Sequence, residues 1–168
     1  MANGYMGKIL NIDLTTRSIE TEALEESICQ DYIGGYGIGA RLLYDRIPAS
    51  ADPLGPDNIL GLLTGPLTGT PAIIGSRFVA VGKSPKTAGG WGDANCGGYF
   101  GPHLKFAGFD GVLFKGIADK PVYLMIDEGQ AELLDAGDLW GQGVTSLEDQ
   151  LKERHGKDIQ ICSIGPAG

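Results

Sequence analysis

The sequence predicts an α+β fold: two similar hairpin–helix–strand halves forming a mainly antiparallel β-sheet structure with a few helices. Three observations predict it. Strand-like segments come in hairpins rather than alternating singly with helices, which disfavours a doubly wound parallel sheet. The order hairpin, helix, apolar strand and Gly-Pro occurs at 8–66 and again at 122–166, closing on Gly65-Pro66 and Gly165-Pro166, and such a repeat points to two related units sharing one core. Glycine supplies 28 of the 168 residues, clustered at 34–39, 89–101 and 137–143 without a triplet period. That excludes collagen and leaves turns and close backbone approaches as the explanation.

Each element has its local reason. Lys8–Leu14 alternates apolar and polar residues as a half-buried strand does, Thr15-Thr16-Arg17 turns, and Ser18–Glu22 returns. Glu25–Tyr32 and Gly37–Arg46 carry apolar residues at helical spacing, with a break expected at Gly34-Gly35. Pro48 to Pro56 is a proline-bearing loop, and Asn58–Leu63 reads as a buried strand ended by Thr64-Gly65-Pro66. Arg77–Lys83 is a further strand, and Ser84–Thr87 is a turn. The glycine-rich stretch Asp93–Gly101 reads as a loop, and Pro102 opens a short helix through Ala107. Gly111–Gly116 is a strand, Val122–Asp127 and Ala131–Leu134 form a second hairpin, Ser146–His155 is an amphipathic helix, and Ile159–Ile164 is a last strand.

Composition narrows the function. Hydrophobic residues make up 42% and charged residues 20%, a globular balance long enough for one domain over 1–168. A net charge of −8, with no Lys/Arg run, argues against a nucleic-acid partner. The three cysteines are widely spaced and form no CxxC pair, so neither a disulfide framework nor a cysteine metal knuckle is expected. No apolar stretch is long enough for a bilayer, and the N-terminus lacks the pattern of a signal peptide. A cytoplasmic protein without a membrane partner is the expectation.

The chemistry concentrates in one stretch, Asp93-Ala94-Asn95-Cys96-Gly97-Gly98-Tyr99-Phe100-Gly101. Glycines let a ligand approach bare backbone, and a glycine-rich turn feeding a helix offers N–H groups to a phosphate; a tight, well-packed turn is the alternative. Arg77, following Ile74-Gly75-Ser76 at the start of a strand, is placed to fork onto a phosphate or to pair with a surface carboxylate. Gly35-Tyr36-Gly37-Ile38-Gly39-Ala40 matches a loose dinucleotide pattern, but that pattern needs a strand before it, and a helix break or close helix–sheet contact is the competing role. Cys96 has no paired base in sequence, His103 follows the glycine loop, and His155 suits a helix C-terminus.

These segments carry a resemblance. Tyr5–Leu14, Asp52–Asn58, Thr64–Thr70, Gly75-Ser76-Arg77, Lys83-Ser84-Pro85, Ala94–Gly101, Leu104–Asp110 and Ser163–Gly168 run in order over almost the whole chain and look like the N-terminal domain of the aldehyde ferredoxin oxidoreductases. The resemblance implies a pterin-binding base domain, a fragment of a longer enzyme. It implies a tungsten (less often molybdenum) bis-pyranopterin whose metal takes no protein ligand. It implies an Mg2+ ion bridging the pterin phosphates and a [4Fe–4S] cluster whose cysteines lie outside this chain. It also implies oxidation of a small aldehyde to a carboxylic acid with electrons passing to ferredoxin.

Carried over by position, Arg77 resembles a phosphate contact, and Asn95 resembles the residue whose backbone helps hold the magnesium. Gly97, Gly98, Tyr99 and Phe100 resemble the loop lying along the pterin. No catalytic residue falls within the chain. The expected partners are the remaining catalytic domains or subunit, ferredoxin and aldehyde, with a homodimer among the assemblies the family forms. The chain alone is expected to be inactive. The alternative is a stand-alone pterin-binding or assembly module that meets a separate catalytic subunit.

Overall fold

The alternating N-terminal segment forms the expected hairpin. In the computed structural model, which describes residues 3–166, β1 (Lys8–Asp13) pairs antiparallel with β2 (Ser18–Ala23). Asp13 closes the turn by accepting from the backbone N–H groups of Thr15 (2.9 Å) and Thr16 (3.1 Å). Those bonds, with Lys115 beside it, hold its carboxyl below the usual range. A lowered native pKa means that the unfolded chain binds more protons, so this turn's contribution is full above the ordinary carboxylate value and is lost as pH falls through the native one. An NMR titration of the Thr15 and Thr16 amides should therefore show a midpoint below 3.8. A midpoint at or above that value would contradict the Asx-turn reading.

Two short helices follow, α1 (Glu26–Asp31) and α2 (Gly34–Arg46). The break falls at Tyr32-Ile33, one step before the expected Gly34-Gly35, and Gly35 lies inside α2. Next come β3 (Ile59–Thr64), β4 (Phe78–Lys83), a one-turn 3-10 segment at Pro85–Thr87, β5 (Trp91–Cys96), α3 (Phe100–Phe106) and β6 (Gly111–Lys115). The six strands form one sheet in the order β2-β1-β6-β3-β4-β5. Among the described residues only the β1–β6 pair is parallel. A separate two-stranded sheet, β7 (Val122–Asp127) with β8 (Gln130–Asp135), precedes α4 (Val144–His155). The fold is α+β with a mainly antiparallel mixed sheet, as the hairpin pattern predicts.

Residue parity explains the layers. Ile9, Ile59, Leu63, Val79, Val81 and Leu113 point to one face, where Ile38, Leu42 and Leu43 of α2 cover them. Leu10, Ile12 and Val112 point to the other, under Leu104 of α3, Phe109, and the half-buried Leu124, Ile126 and Leu133 of the second hairpin. Both faces of β1 and β6 are therefore covered, and so β1 reads apolar at two consecutive positions, Ile9 and Leu10.

Two expectations need correction. Asp93–Gly101 is not one loop, because its first part is the edge strand β5, paired residue for residue with β4, and its last residues already belong to α3. The polar, glycine-containing sequence of β5 hides a strand whose side chains stay exposed. Ile159–Ile164 runs without strand pairing in the described residues, so the second hairpin and helix recur but their following strand does not form here. Of the closing Gly165-Pro166-Ala167-Gly168, Ala167 and Gly168 lie outside the described residues.

Candidate functional site

Strand directions bring the site together at one end of the sheet. Thr64 ends β3 opposite Phe78, which begins β4, and Cys96 ends β5 opposite Phe78 as well. Arg77 immediately precedes that register and Gly97 immediately follows it, so antiparallel pairing sets them side by side. A Cβ at Gly97 would lie 3.6 Å from Arg77 Nη1. Asn95 pairs with Val79 and so shares the face of the sheet that α2 covers further in.

The guanidinium of Arg77 is exposed and has no carboxylate partner among the described residues. Its backbone is braced, since Thr68 Oγ1 donates to the Arg77 carbonyl at 2.7 Å and accepts from the N–H of Gly65 at 3.0 Å. Thr68 escaped the sequence reading because a turn threonine in Leu67-Thr68-Gly69 gives no local sign that it bonds a residue nine positions on.

Beside Arg77 the backbone is bare. Gly98 sits at φ +90, a conformation that excludes most side chains, and a Cβ there would meet nothing within 4 Å. Tyr99 is 73% exposed. Phe100 behaves differently. Its ring packs against Phe78 with centroids 4.9 Å apart and joins the second core face. Gly101 sits against Ser76 O and Phe78 Cβ, which pins the start of α3 to the β4 entrance. Arg77, Asn95, Gly97, Gly98 and Tyr99 are thus brought to one exposed corner, while the side chain of Phe100 turns inward.

The other candidates separate from this corner. Gly35 and Gly39 lie inside α2 and face the sheet, where a Cβ would meet Leu63 O at 2.9 Å and Val81 Cγ2 at 3.1 Å, respectively. The element immediately before them is the helix α1 and not a strand, so the dinucleotide pattern is a packing motif. His103 is exposed beside Phe106, and His155, the last residue of α4, bonds the Tyr123 hydroxyl at 2.8 Å. Cys96 is exposed at the end of β5. Burial pushes the Cys29 thiol up, consistent with an inert core residue. A hollow of about 570 Å³ lies at the opposite end of the sheet, and its cationic groups are already engaged: Arg46 with Glu22 and Asn11, and Lys115 with Asp13. No group of three or more His, Cys, Asp or Glu among the described residues could hold a metal ion.

The family model described as "Aldehyde ferredoxin oxidoreductase, N-terminal domain" matches residues 9–168. The chain belongs to the aldehyde ferredoxin oxidoreductase family. It is 46% identical over 166 residues to the tungsten-containing aldehyde ferredoxin oxidoreductase of Pyrococcus abyssi, covering 98% of this chain and 27% of that protein. The Thermococcus kodakarensis enzyme of the same description is 42% identical over the same shares. A Pyrococcus furiosus aliphatic sulfonate oxidoreductase, WOR-like subunit, is 38% identical over 155 residues, 90% of this chain and 24% of that one. The solved active-site complex BamBC of benzoyl coenzyme A reductase superposes with a TM-score of 0.94 at 35% identity, covering 98% of this chain and 25% of its chain. This family member thus spans about a quarter of the length of the relatives it matches. No helix among its described residues is long and apolar enough to cross a membrane.

Proposed function

We propose that this chain is the cofactor-base domain of a larger tungsten-pterin oxidoreductase and that its exposed corner holds the pterin phosphates. The observation that carries this reading is the guanidinium of Arg77, without a carboxylate partner among the described residues, beside the bare backbone of Gly97-Gly98. The donor set fits the group. A planar fork would suit phosphate oxygens, uncovered glycine backbone would permit close approach, and Asn95 would offer oxygen to a hard magnesium ion. Arg77 binds phosphate, Asn95 supplies oxygen to Mg2+, and Gly97, Gly98 and Tyr99 lie along the ring system. Phe100 contributes by anchoring α3 rather than by touching the ligand with its ring.

When bound, the tungsten (or molybdenum) bis-pyranopterin supplies oxidation of a small aldehyde to a carboxylic acid, with electrons leaving through a [4Fe–4S] cluster to ferredoxin. This chain contributes positioning and charge only, so the catalytic groups, cluster ligands and substrate cavity belong to the rest of the enzyme. The pure 168-residue chain is therefore expected to give no aldehyde-dependent dye reduction. A cytoplasmic setting accompanies this reading, and a homodimer is one assembly it allows.

Titration with inorganic pyrophosphate in the presence of MgCl2, followed by 15N NMR, tests the site directly. Shifts should concentrate at Arg77 Nε and the amides of Asn95, Gly97 and Gly98. Arg77→Ala should weaken binding at least tenfold, about 1.4 kcal/mol. Shifts elsewhere, or an affinity indifferent to Arg77, would sink the reading.

A further inference from the structure

We infer that Lys105 is a positioning residue: paired with the buried Asp110, it locks the N-terminal segment Gly4–Gly7 beneath α3 and thereby holds the Gly97–Tyr99 loop against Arg77. The functional part of this inference rests on the site reading above. Lys105 is 4% and Asp110 1% exposed, an unusual burial for two charges. Their charged atoms lie 3.6 Å apart.

Among the described residues, the remaining hydrogen-bond partners of the two charged groups belong to the N-terminal segment. Lys105 Nζ donates to the Gly4 carbonyl and lies 5.3 Å from the centre of the Tyr5 ring. The Asp110 carboxylate accepts from the N–H groups of Met6 (3.0 Å) and Gly7 (2.6 Å). The Tyr5 hydroxyl accepts from the N–H of Gly34 at the start of α2 (3.0 Å). Asp110 also anchors the strand end beside Arg77's loop, since its carbonyl accepts from both the N–H and the hydroxyl of Thr64.

The consequence for the site follows from where α3 is fastened. The helix is short, running from Phe100 to Phe106. Its far end is held by Lys105, and its near end by Gly101 against Ser76 and Phe78. The loop preceding it, Gly97–Tyr99, gains no packing of its own at Gly98. Order in that loop therefore depends on how firmly α3 is set. A buried ion pair aimed at an N-terminal strap supplies a directional lock that apolar contacts do not.

The test separates fastening from mere stability. The neutral double variant Lys105→Met/Asp110→Asn removes both charges together; the Asn carbonyl can accept from only one of the Met6 and Gly7 N–H groups, so this variant should melt below the parent but above Lys105→Met, which leaves a lone buried charge. Backbone order parameters at Gly97, Gly98 and Tyr99 should fall from about 0.85 to below about 0.6, with β3 and β4 unchanged. Pyrophosphate affinity in MgCl2 should drop at least tenfold.

A folded double variant with an ordered loop overturns the proposal, and so does a loop already mobile in the parent. Gly4→Ala gives a second test that leaves the charges in place, because its Cβ would meet Pro66 O at 2.5 Å and lift the strap. It should loosen the same three residues, and it decides the matter if the double variant does not fold. A parent that fails to bind pyrophosphate defeats the site reading alone, because the order parameters still decide the positioning role.

Discussion

Lys105→Met should lower the free energy of unfolding by about 3–5 kcal/mol, the cost of breaking one side of a buried ion pair. Methionine nearly fills the space of the lysine stem, so the loss is electrostatic rather than a cavity effect. What remains is the carboxylate of Asp110, 1% exposed, with the Met6 and Gly7 N–H groups as its donors and no counter-ion. Urea denaturation at neutral pH measures the effect. A loss under about 1 kcal/mol would mean that the two backbone donors carry the charge unaided.

The parent also carries an alkaline signature. Burial lowers the proton affinity of Lys105, with Asp110 opposing the shift. The unfolded chain therefore binds more protons between that lowered value and 10.5, so the contribution of this residue to stability rises with pH across that window. The raised Cys29 and Tyr5 groups act in the opposite sense at alkaline pH, so the signature is read as the difference between the parent and Lys105→Met, which should move in the parent's favour as pH rises across that window.

Gly35→Val should cost about 3 kcal/mol, at the upper end of core overpacking. Helix propensity alone argues the opposite sign, since glycine inside a helix is worse than most residues by up to about 1 kcal/mol. The structure decides between them. The Cβ of any residue at 35 would stand 2.7 Å from Val79 Cγ2 and 2.9 Å from Leu63 O, and the second of these is strand backbone that cannot turn aside. The helix must lift off β3 and β4, opening the core that Ile38, Leu42 and Leu43 close. Ala40→Gly on the exposed side of the same helix should lose only about 1 kcal/mol. Thermal melts of both variants settle the comparison. A stable Gly35→Val protein would show that α2 has room to move.

Much of this was legible in the residues because it is local. The Lys8–Leu14 alternation, the turn at Thr15–Arg17 and the hairpin around Glu128-Gly129 follow from side-chain period and turn chemistry. So does α4, with Leu147 and Leu151 one turn apart on its apolar side. The family was legible through the order of several short segments. Arg77, Asn95, Gly97, Gly98, Tyr99 and Phe100 follow from that resemblance, Arg77 also from its own chemistry, and the antiparallel register of β4 and β5 brings the first five to one corner.

Other features depend on partners distant in sequence. β5 carries Gly92, Asp93 and Asn95, which weaken strand propensity, and it forms because β4 offers a complete ladder beside it. Ile159–Ile164 has the apolar content of a strand but no neighbouring strand to pair with in the described residues. Phe100 follows the glycine loop in sequence, and only the packed structure sets its ring against Phe78.

By itself, then, the sequence determined the fold class, the family and the identity of the phosphate-binding candidates, because periodicity and short motifs act over a few residues. Only the tertiary structure decided that Gly35 and Gly39 are packing glycines, that Thr68 braces Arg77, and that Lys105 and Asp110 meet beneath α3. The physical reason is common to all three. The close approach of α2 to the sheet, the hydroxyl bond across nine residues and the burial of two opposite charges each exist only after the sheet has brought separate segments together.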